Sequence, residues 1–536
     1  MQALDVRPTD VLPVSGAAST ADPIIVVCAG PVGIRFAQEV FARGYAGALL
    51  LFGDEPWQPY NRVQLSQLLA GETHLDAIAN PVRHVPDGRM VQHLACTVTQ
   101  IDPAQRTVTD DQGRQHRYRT LVLAVGSRAH VPDGVNTSLS GVYLFRNLRD
   151  TEALKARTAR SQHVVVVGGG LLGLEAARAL QRGHAQVTVV HQSARLMNRQ
   201  LDDIAAERLK QRVEALGMSV LLGVGFAGVV GDTRVSGVRL RDGRIIPCDT
   251  VLLATGIRPN TALARRAWIK VGNGILVDDR LQTSAPDVYA IGECIEHDGQ
   301  TYGLVAPGYE QATVLADVLT GGRARYTGSL HAAQLKVLDL PVASVGQVTD
   351  LPPGARLQEV RYDAASQGVY RKLILQHGRL HGVLSLGSTA DIRRLQDAVQ
   401  HRRYIAPWAL RRFRRTGQLW PAATDNSVAD WPAQTLVCQC MGVSRGTLSA
   451  AVLQGCTSVD ALAAQTGAGT VCGGCKPLLQ ALSGASQRSP EPGHRVLALT
   501  GLIGLLACVF WLTWPGLSVA PSVQTQPLFE RIWNDG

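Results

Sequence analysis

Apolar and polar positions in the N-terminal half recur in one arrangement. An unbroken apolar run, Ile24–Val27, leads into a glycine-bearing turn. Behind it, over 34–43, apolar positions fall three and four apart. A run of that length predicts a strand buried on both faces, and the 3.6-residue spacing predicts an amphipathic helix. A second strand is expected over 48–52. The arrangement returns at His163–Val167, with a helix over 174–182 and a strand over 186–190. Strand–turn–helix–strand units predict parallel sheets covered by helices, an α/β fold. Further on, residues 441–471 read as two short helices, Ser444 capping the first (445–453) and Ser458 the second (459–465). Residues 496–514 carry no charge, with Trp511 and Trp514 at the outer end and His494 and Arg495 at the inner end. A single C-terminal transmembrane helix is therefore expected at 495–516, with the bulk of the chain on the cytoplasmic side of the inner membrane.

The two turns carry chemistry. A dinucleotide fingerprint needs three glycines: one for the tight turn, one where backbone approaches a pyrophosphate, and one where helix packs on strand. In the first turn, Cys28-Ala29-Gly30-Pro31-Val32-Gly33, the second and third positions are Gly30 and Gly33, and Cys28 replaces the first. Asp54 and Glu55 follow the next strand, where an acid would hold a ribose hydroxyl. The second turn has all three glycines, Gly168, Gly170 and Gly173. Its ribose position is His191, and Arg195 is near enough in sequence to reach a 2′-phosphate, so NADH and NADPH both stay open. Two fingerprints imply two dinucleotides, FAD and NAD(P)H.

Charge and cysteine content narrow the classes. Aromatic residues make up only 5% of the 536, which argues against a base-stacking nucleic-acid binder. Part of the net charge of +10 is local: Arg402, Arg403, Arg411, Arg412, Arg414 and Arg415 interleave with Tyr404, Trp408 and Phe413. That run suits an anionic lipid or an acidic partner, or equally a solvated face beside a linker. Of the 10 cysteines, Cys438, Cys440, Cys472 and Cys475 form two close pairs. In a reducing cytoplasm such pairs bind metal or do redox work. Four thiolates in two pairs can hold a [2Fe–2S] cluster; structural zinc is the alternative, although a Cys-x-Cys pair suits it less well. No Cys-x4-Cys pair follows the first helix.

Pro59-Tyr60-Asn61-Arg62-Val63-Gln64-Leu65-Ser66, with Leu69-Ala70-Gly71-Glu72 behind it, resembles the FAD domain of the assimilatory nitrite reductase large subunit family. Segments 121–127 (with Gly126), 254–260 (with Gly256), 287–294 (with Gly292 and Glu293) and 302–311 are similar to the family's later motifs in the same order. The cysteine segment resembles the bacterioferritin-associated ferredoxin domain of those proteins, which implies iron and sulfur. The resemblance implies the two-dinucleotide flavoprotein fold: an FAD domain in two segments (24–145 and 270–325), an inserted NAD(P) domain (146–269), an interface domain (330–405), a basic linker (406–434) and a [2Fe–2S] domain (435–482). A lead-in (1–23), a linker (483–494) and a tail (517–536) complete the chain. It further implies Arg62 and Ser66 near the FAD pyrophosphate, Glu293 on the ribityl chain and Glu175 near the nicotinamide.

The implied activity is that of an NAD(P)H-dependent flavoprotein oxidoreductase, moving hydride to FAD and single electrons to the cluster. No catalytic side chain is named, since hydride acceptance needs no acid or base. The expected acceptor is a redox protein or membrane electron carrier, with a homodimer admissible. The alternatives are the reductase component of a nitrite or nitrate assimilation system with a separate terminal subunit, and a redox sensor. Sirohaem domains do not follow residue 482, so the chain is not expected to reduce nitrite by itself.

Overall fold

Ile24–Val27 consists of β-branched residues alone, and every side chain is buried. It pairs in parallel with Leu49–Phe52 on one side and Thr120–Leu123 on the other. Val288–Ala290 and Met90–His93 extend the sheet at its two edges, also in parallel. The computed structural model describes residues 22–80, 85, 88–335, 340–349, 356–389, 391–421, 428–438, 441–471 and 473–483. A second parallel sheet runs in the order Ser219–Leu222, Gln186–His191, His163–Val167, Thr250–Leu253 and Val142–Leu144. The first sheet takes its edge strand Val288–Ala290 from beyond the second, so the chain leaves the first unit and returns to it. Ser127–Ala129 and Ile257–Pro259 pair antiparallel where the chain passes out and back.

Helix Leu65–Leu69 of the first unit packs on helix Leu171–Arg182 of the second. Tyr60, Leu65 and Leu69 thereby share one apolar core with Leu174, Ala177 and Leu180. The third unit is an antiparallel sheet ordered Ala332–Leu335, Val342–Gly346, Arg379–Leu386, Val369–Gln376, Leu357–Ala364. Its strand Val369–Gln376 reaches into the second unit: Tyr370 donates to Asp202 at 2.7 Å, and Lys372 pairs with the same carboxylate at 3.0 Å. Helix Pro407–Thr416 buries Leu410 and Phe413 and leaves Arg411, Arg414 and Arg415 exposed, the amphipathic pattern of a helix lying on a core.

The last described unit is small. Leu436–Cys438 pairs with Val443–Ser444, followed by helices Arg445–Leu453, Val459–Thr466 and Lys476–Leu482. Ser444 accepts from the Thr447 amide at 3.2 Å and Ser458 from the Ala461 amide at 3.0 Å, the two caps expected from sequence. The second helix stops at Gly467, which is left-handed with φ +73°.

The expected membrane helix is corrected. The longest helix among the described residues, Val305–Leu319, has 15 residues. At about 1.5 Å per residue it falls well short of a ~30 Å hydrocarbon core. Among the described residues no helix is long and apolar enough to cross a membrane. Residues 495–516 lie outside the described residues, as do 1–21 of the lead-in, the 484–494 part of the linker and the tail at 517–536. The fold is therefore the α/β two-dinucleotide type with a small cysteine-bearing domain. The transmembrane helix is withdrawn from it, and with it the placement at the inner membrane.

Candidate functional site

Gly30 is the N-cap of helix Pro31–Ala42, with extended backbone and no side-chain cap, so the first amides of the helix are left for a ligand. A Cβ on Gly33 would lie 2.3 Å from the Cys28 carbonyl oxygen, which is why helix and strand can meet there. Cys28 has φ 92°, a region that favours glycine, so the turn keeps its glycine-like shape at the cost of local strain. Burial pushes the Cys28 thiol up. A hollow beside this turn is lined by Cys28, Gly30, Asp54, Glu55, Tyr60 and Arg62.

The structure divides the acid pair. Glu55 accepts from the Tyr60 hydroxyl at 2.6 Å and from Arg62 at 2.5 Å, whereas Asp54 is exposed. The Tyr60 oxygen also accepts from the Leu148 amide at 2.9 Å. Tyr60 therefore fixes Glu55 and, through it, Arg62. Gly126 and Gly256 sit at the crossover between the two units, with φ 59° and 111°. Gly292, at φ 91°, donates its amide to the buried Gln311 side chain at 2.7 Å. Its neighbour Glu293 accepts from Ser127 at 2.7 Å and pairs with Arg146. Arg146 belongs to no local motif in the sequence, and Gln311 closes the 302–311 motif without a role of its own being assigned to it there.

In the second turn Gly168 has φ +127°, and a Cβ there would lie 2.2 Å from the Ala254 carbonyl oxygen. A Cβ on Gly173 would come within 2.0 Å of the Gly168 oxygen. Gly170 caps helix Leu171–Arg182 without a side-chain bond, and a Cβ there would meet nothing within 4 Å. That open space over uncapped amides is what a pyrophosphate needs. Glu175, in the first turns of the helix, is hydrogen-bonded to Ser66. Burial pushes its carboxyl up, and the Ser66 bond offsets this in part. Two residues expected at separate cofactors are thus in contact. His191 turns its Nδ1 to the Gly169 amide at 3.1 Å, and burial holds its imidazole below the ordinary range. Arg195 pairs with Asp203 at 2.9 Å.

Cys438 ends its strand and Cys475 caps helix Lys476–Leu482; both are buried. Cys440 and Cys472 lie outside the described residues. Among the described residues no group of three or more His, Cys, Asp or Glu is placed to hold a metal ion. Cys456 stands apart, donating to Gln465 at 2.6 Å. Two buried cysteines at the start of a helix and the end of a strand suit soft-metal ligation, with the remaining pair next to them in sequence.

Residues 22–315 match the family model described as pyridine nucleotide-disulphide oxidoreductase. The chain belongs to that family. Residues 332–403 match the rubredoxin NAD+ reductase C-terminal domain, and residues 436–482 the BFD-like [2Fe–2S] binding domain. The nitrite reductase [NAD(P)H] of Bacillus subtilis is 36% identical over 464 residues, 85% of this chain and 57% of that protein. The assimilatory nitrate reductase electron transfer subunit of the same organism is 36% identical over 457 residues, 84% of this chain and 58% of that protein. The chain spans about half the length of the curated relatives it matches first. Among solved structures, a ferredoxin reductase from Rhodopseudomonas palustris is similar at 29% identity and a TM-score of 0.64, covering 69% of this chain and 92% of its own. This pyridine nucleotide-disulphide oxidoreductase is an NAD(P)H-dependent flavoenzyme whose cofactors are FAD, NAD(P)H and a [2Fe–2S] cluster.

Proposed function

We propose that the protein is the electron-input component of a nitrite- or nitrate-assimilating system, passing electrons from NAD(P)H through FAD and the cluster to a separate acceptor protein. What carries this reading is the joining, in one chain, of both nucleotide turns to a cysteine domain that accepts hydrogen bonds from Arg35, on the helix behind the first turn, and from Asn61. The names of the two Bacillus subtilis relatives support the acceptor class. A Vibrio vulnificus relative, 31% identical over 61% of this chain and 86% of its own length, is named a nitric oxide reductase FlRd-NAD(+) reductase. That name supports a redox protein as the partner.

On this reading Gly30, Gly33 and the amides of helix Pro31–Ala42 bind the FAD pyrophosphate, with Arg62 adding positive charge. The exposed Asp54 takes the ribose, and Glu55 holds Arg62 in place. Gly126, Gly256 and Gly292 keep backbone turns close to the flavin, and Glu293 exchanges its Arg146 bond for the ribityl chain. Gly168, Gly170 and Gly173 receive the nicotinamide dinucleotide, and Ser66 orients Glu175 beside its ring. Cys438, Cys440, Cys472 and Cys475 bind the cluster. FAD, when bound, accepts two electrons together and releases them singly. The deciding experiment mixes the purified holoprotein and NADH or NADPH with the isolated terminal subunit of an assimilatory nitrite or nitrate reductase. Reduction of that subunit is expected. Turnover with ferricyanide or cytochrome c alone, and none with the subunit, would sink the proposed acceptor.

A further inference from the structure

The cysteine-bearing loops are held through their main-chain carbonyls by side chains from outside their own domain. Asn61 Nδ2 donates to the carbonyl oxygens of Thr470 and Val471 at 2.7 and 2.8 Å. Arg35 Nη2 donates to that of Met441 at 3.1 Å, and Arg393 donates to that of Val437. Val437, Met441 and Val471 are the immediate sequence neighbours of Cys438, Cys440 and Cys472. Three of the four cysteines are therefore flanked by a residue gripped from another unit.

Asn61 is built for this grip. It is 5% exposed, its own amide donates to Ile78 at 2.7 Å, and its Oδ1 accepts from the Val63 amide at 3.0 Å. With the oxygen committed to its own turn, the NH2 group can only face the loop. Arg35 is steadied by Glu39 at 2.5 Å on helix Pro31–Ala42, whose first turn begins at Gly30. Asn61 adjoins Arg62 in the chain. The two segments expected to hold the FAD pyrophosphate thus also hold the cluster loops. Removing the Asn61 donors would take these two bonds from the Thr470 and Val471 carbonyls.

We infer that Asn61, seconded by Arg35, is a positioning residue that locks the cluster-ligand loops onto the FAD domain and so sets the rate of flavin-to-cluster electron transfer. The inference rests on the cofactor assignments under Proposed function. Its test uses the full-length holoprotein and two variants. Asn61→Asp keeps the side chain's shape and the bond from Val63 but removes both donors; Arg35→Gln removes the second grip. After anaerobic mixing with NADH, flavin bleaching should proceed at the wild-type rate in both. Cluster bleaching should slow by about tenfold in Asn61→Asp, the factor that corresponds to about 1.4 kcal/mol of lost docking. A smaller slowing is expected in Arg35→Gln. Hydrogen–deuterium exchange over 467–475 should rise in Asn61→Asp, which a general loss of activity would not produce. Wild-type cluster bleaching in both variants overturns the inference. If Asn61→Asp fails to retain FAD, Arg35→Gln decides: slowed cluster bleaching supports the clamp and the wild-type rate overturns it. A wild-type protein that holds no iron overturns the underlying reading instead, and the clamp with it.

Discussion

Gly168 and Gly170 lie two residues apart and answer to different demands. Alanine at 168 would force a side chain onto φ +127° and drive Cβ to 2.2 Å from a carbonyl oxygen. Gly168→Ala should therefore lower stability by more than about 2 kcal/mol, read as thermal unfolding of the cofactor-free protein. Gly170 has φ −87° and open space above it, so Gly170→Ala should unfold at the wild-type temperature. Its methyl group would instead stand where the pyrophosphate must approach. NAD(P)H-driven flavin reduction should collapse while dithionite reduction persists. Equal behaviour of the two variants would mean the second turn does not bind the nicotinamide dinucleotide. Glu175 adds a pH dependence. Its carboxyl is raised from 4.5 by burial, so folding favours its protonated form. The associated stability is complete below the unfolded value and is lost as pH rises through the folded one. Glu175→Gln should match the wild type in acid and become progressively more stable by comparison as pH rises from the unfolded value through the folded one, the difference then staying constant. A stability difference independent of pH would contradict this.

The helix caps of the cysteine domain were legible because their signals are local. Ser444 and Ser458 each stand directly before their helix and take an amide three residues on, as the hydroxyl-then-helix pattern predicts. Ser458→Ala should cost about 1 kcal/mol, visible as faster hydrogen exchange in Val459–Thr466. No change in exchange would show the cap to be dispensable. The parallel strands were legible for a similar reason, as runs of β-branched residues with glycine turns behind them. What escaped is non-local. Arg146 meets Glu293 across 147 positions and Asn61 meets Val471 across 410, and no periodicity announces either contact. The sequence pattern also had no means of dividing Asp54 from Glu55, because the division is made by Tyr60 and Arg62 folding back onto one of them. Cys28 weakens the first fingerprint when read as a string, yet the backbone there adopts the glycine conformation regardless. Uncharged length, with Trp511 and Trp514 at one end and His494 and Arg495 at the other, suggested the membrane helix, without any packing partner to test it against.

At the scale of the whole molecule, the cysteine domain is attached to the flavin unit and yet built separately from it. Val437, Leu448, Leu462 and Leu479 form a core of their own, distinct from the cores under the two parallel sheets. Its link to the first unit runs through side-chain donors onto loop carbonyls. Removing a cluster ligand should therefore cut the electron path at one point and spare everything before it. Cys475, 1% exposed at the start of Lys476–Leu482, is the ligand to change. A serine there keeps the size of the side chain but replaces a soft thiolate with a hydroxyl that iron in such clusters holds poorly. In Cys475→Ser the visible absorbance of the cluster should vanish, while FAD content, the nicotinamide KM and NADH–ferricyanide turnover stay at wild-type values. Transfer to the isolated terminal subunit should stop. Cluster absorbance that survives the substitution would remove Cys475 from the ligand set. Terminal-subunit reduction that survives cluster loss would mean that electrons leave directly from the flavin and that the cysteine domain is not on their path.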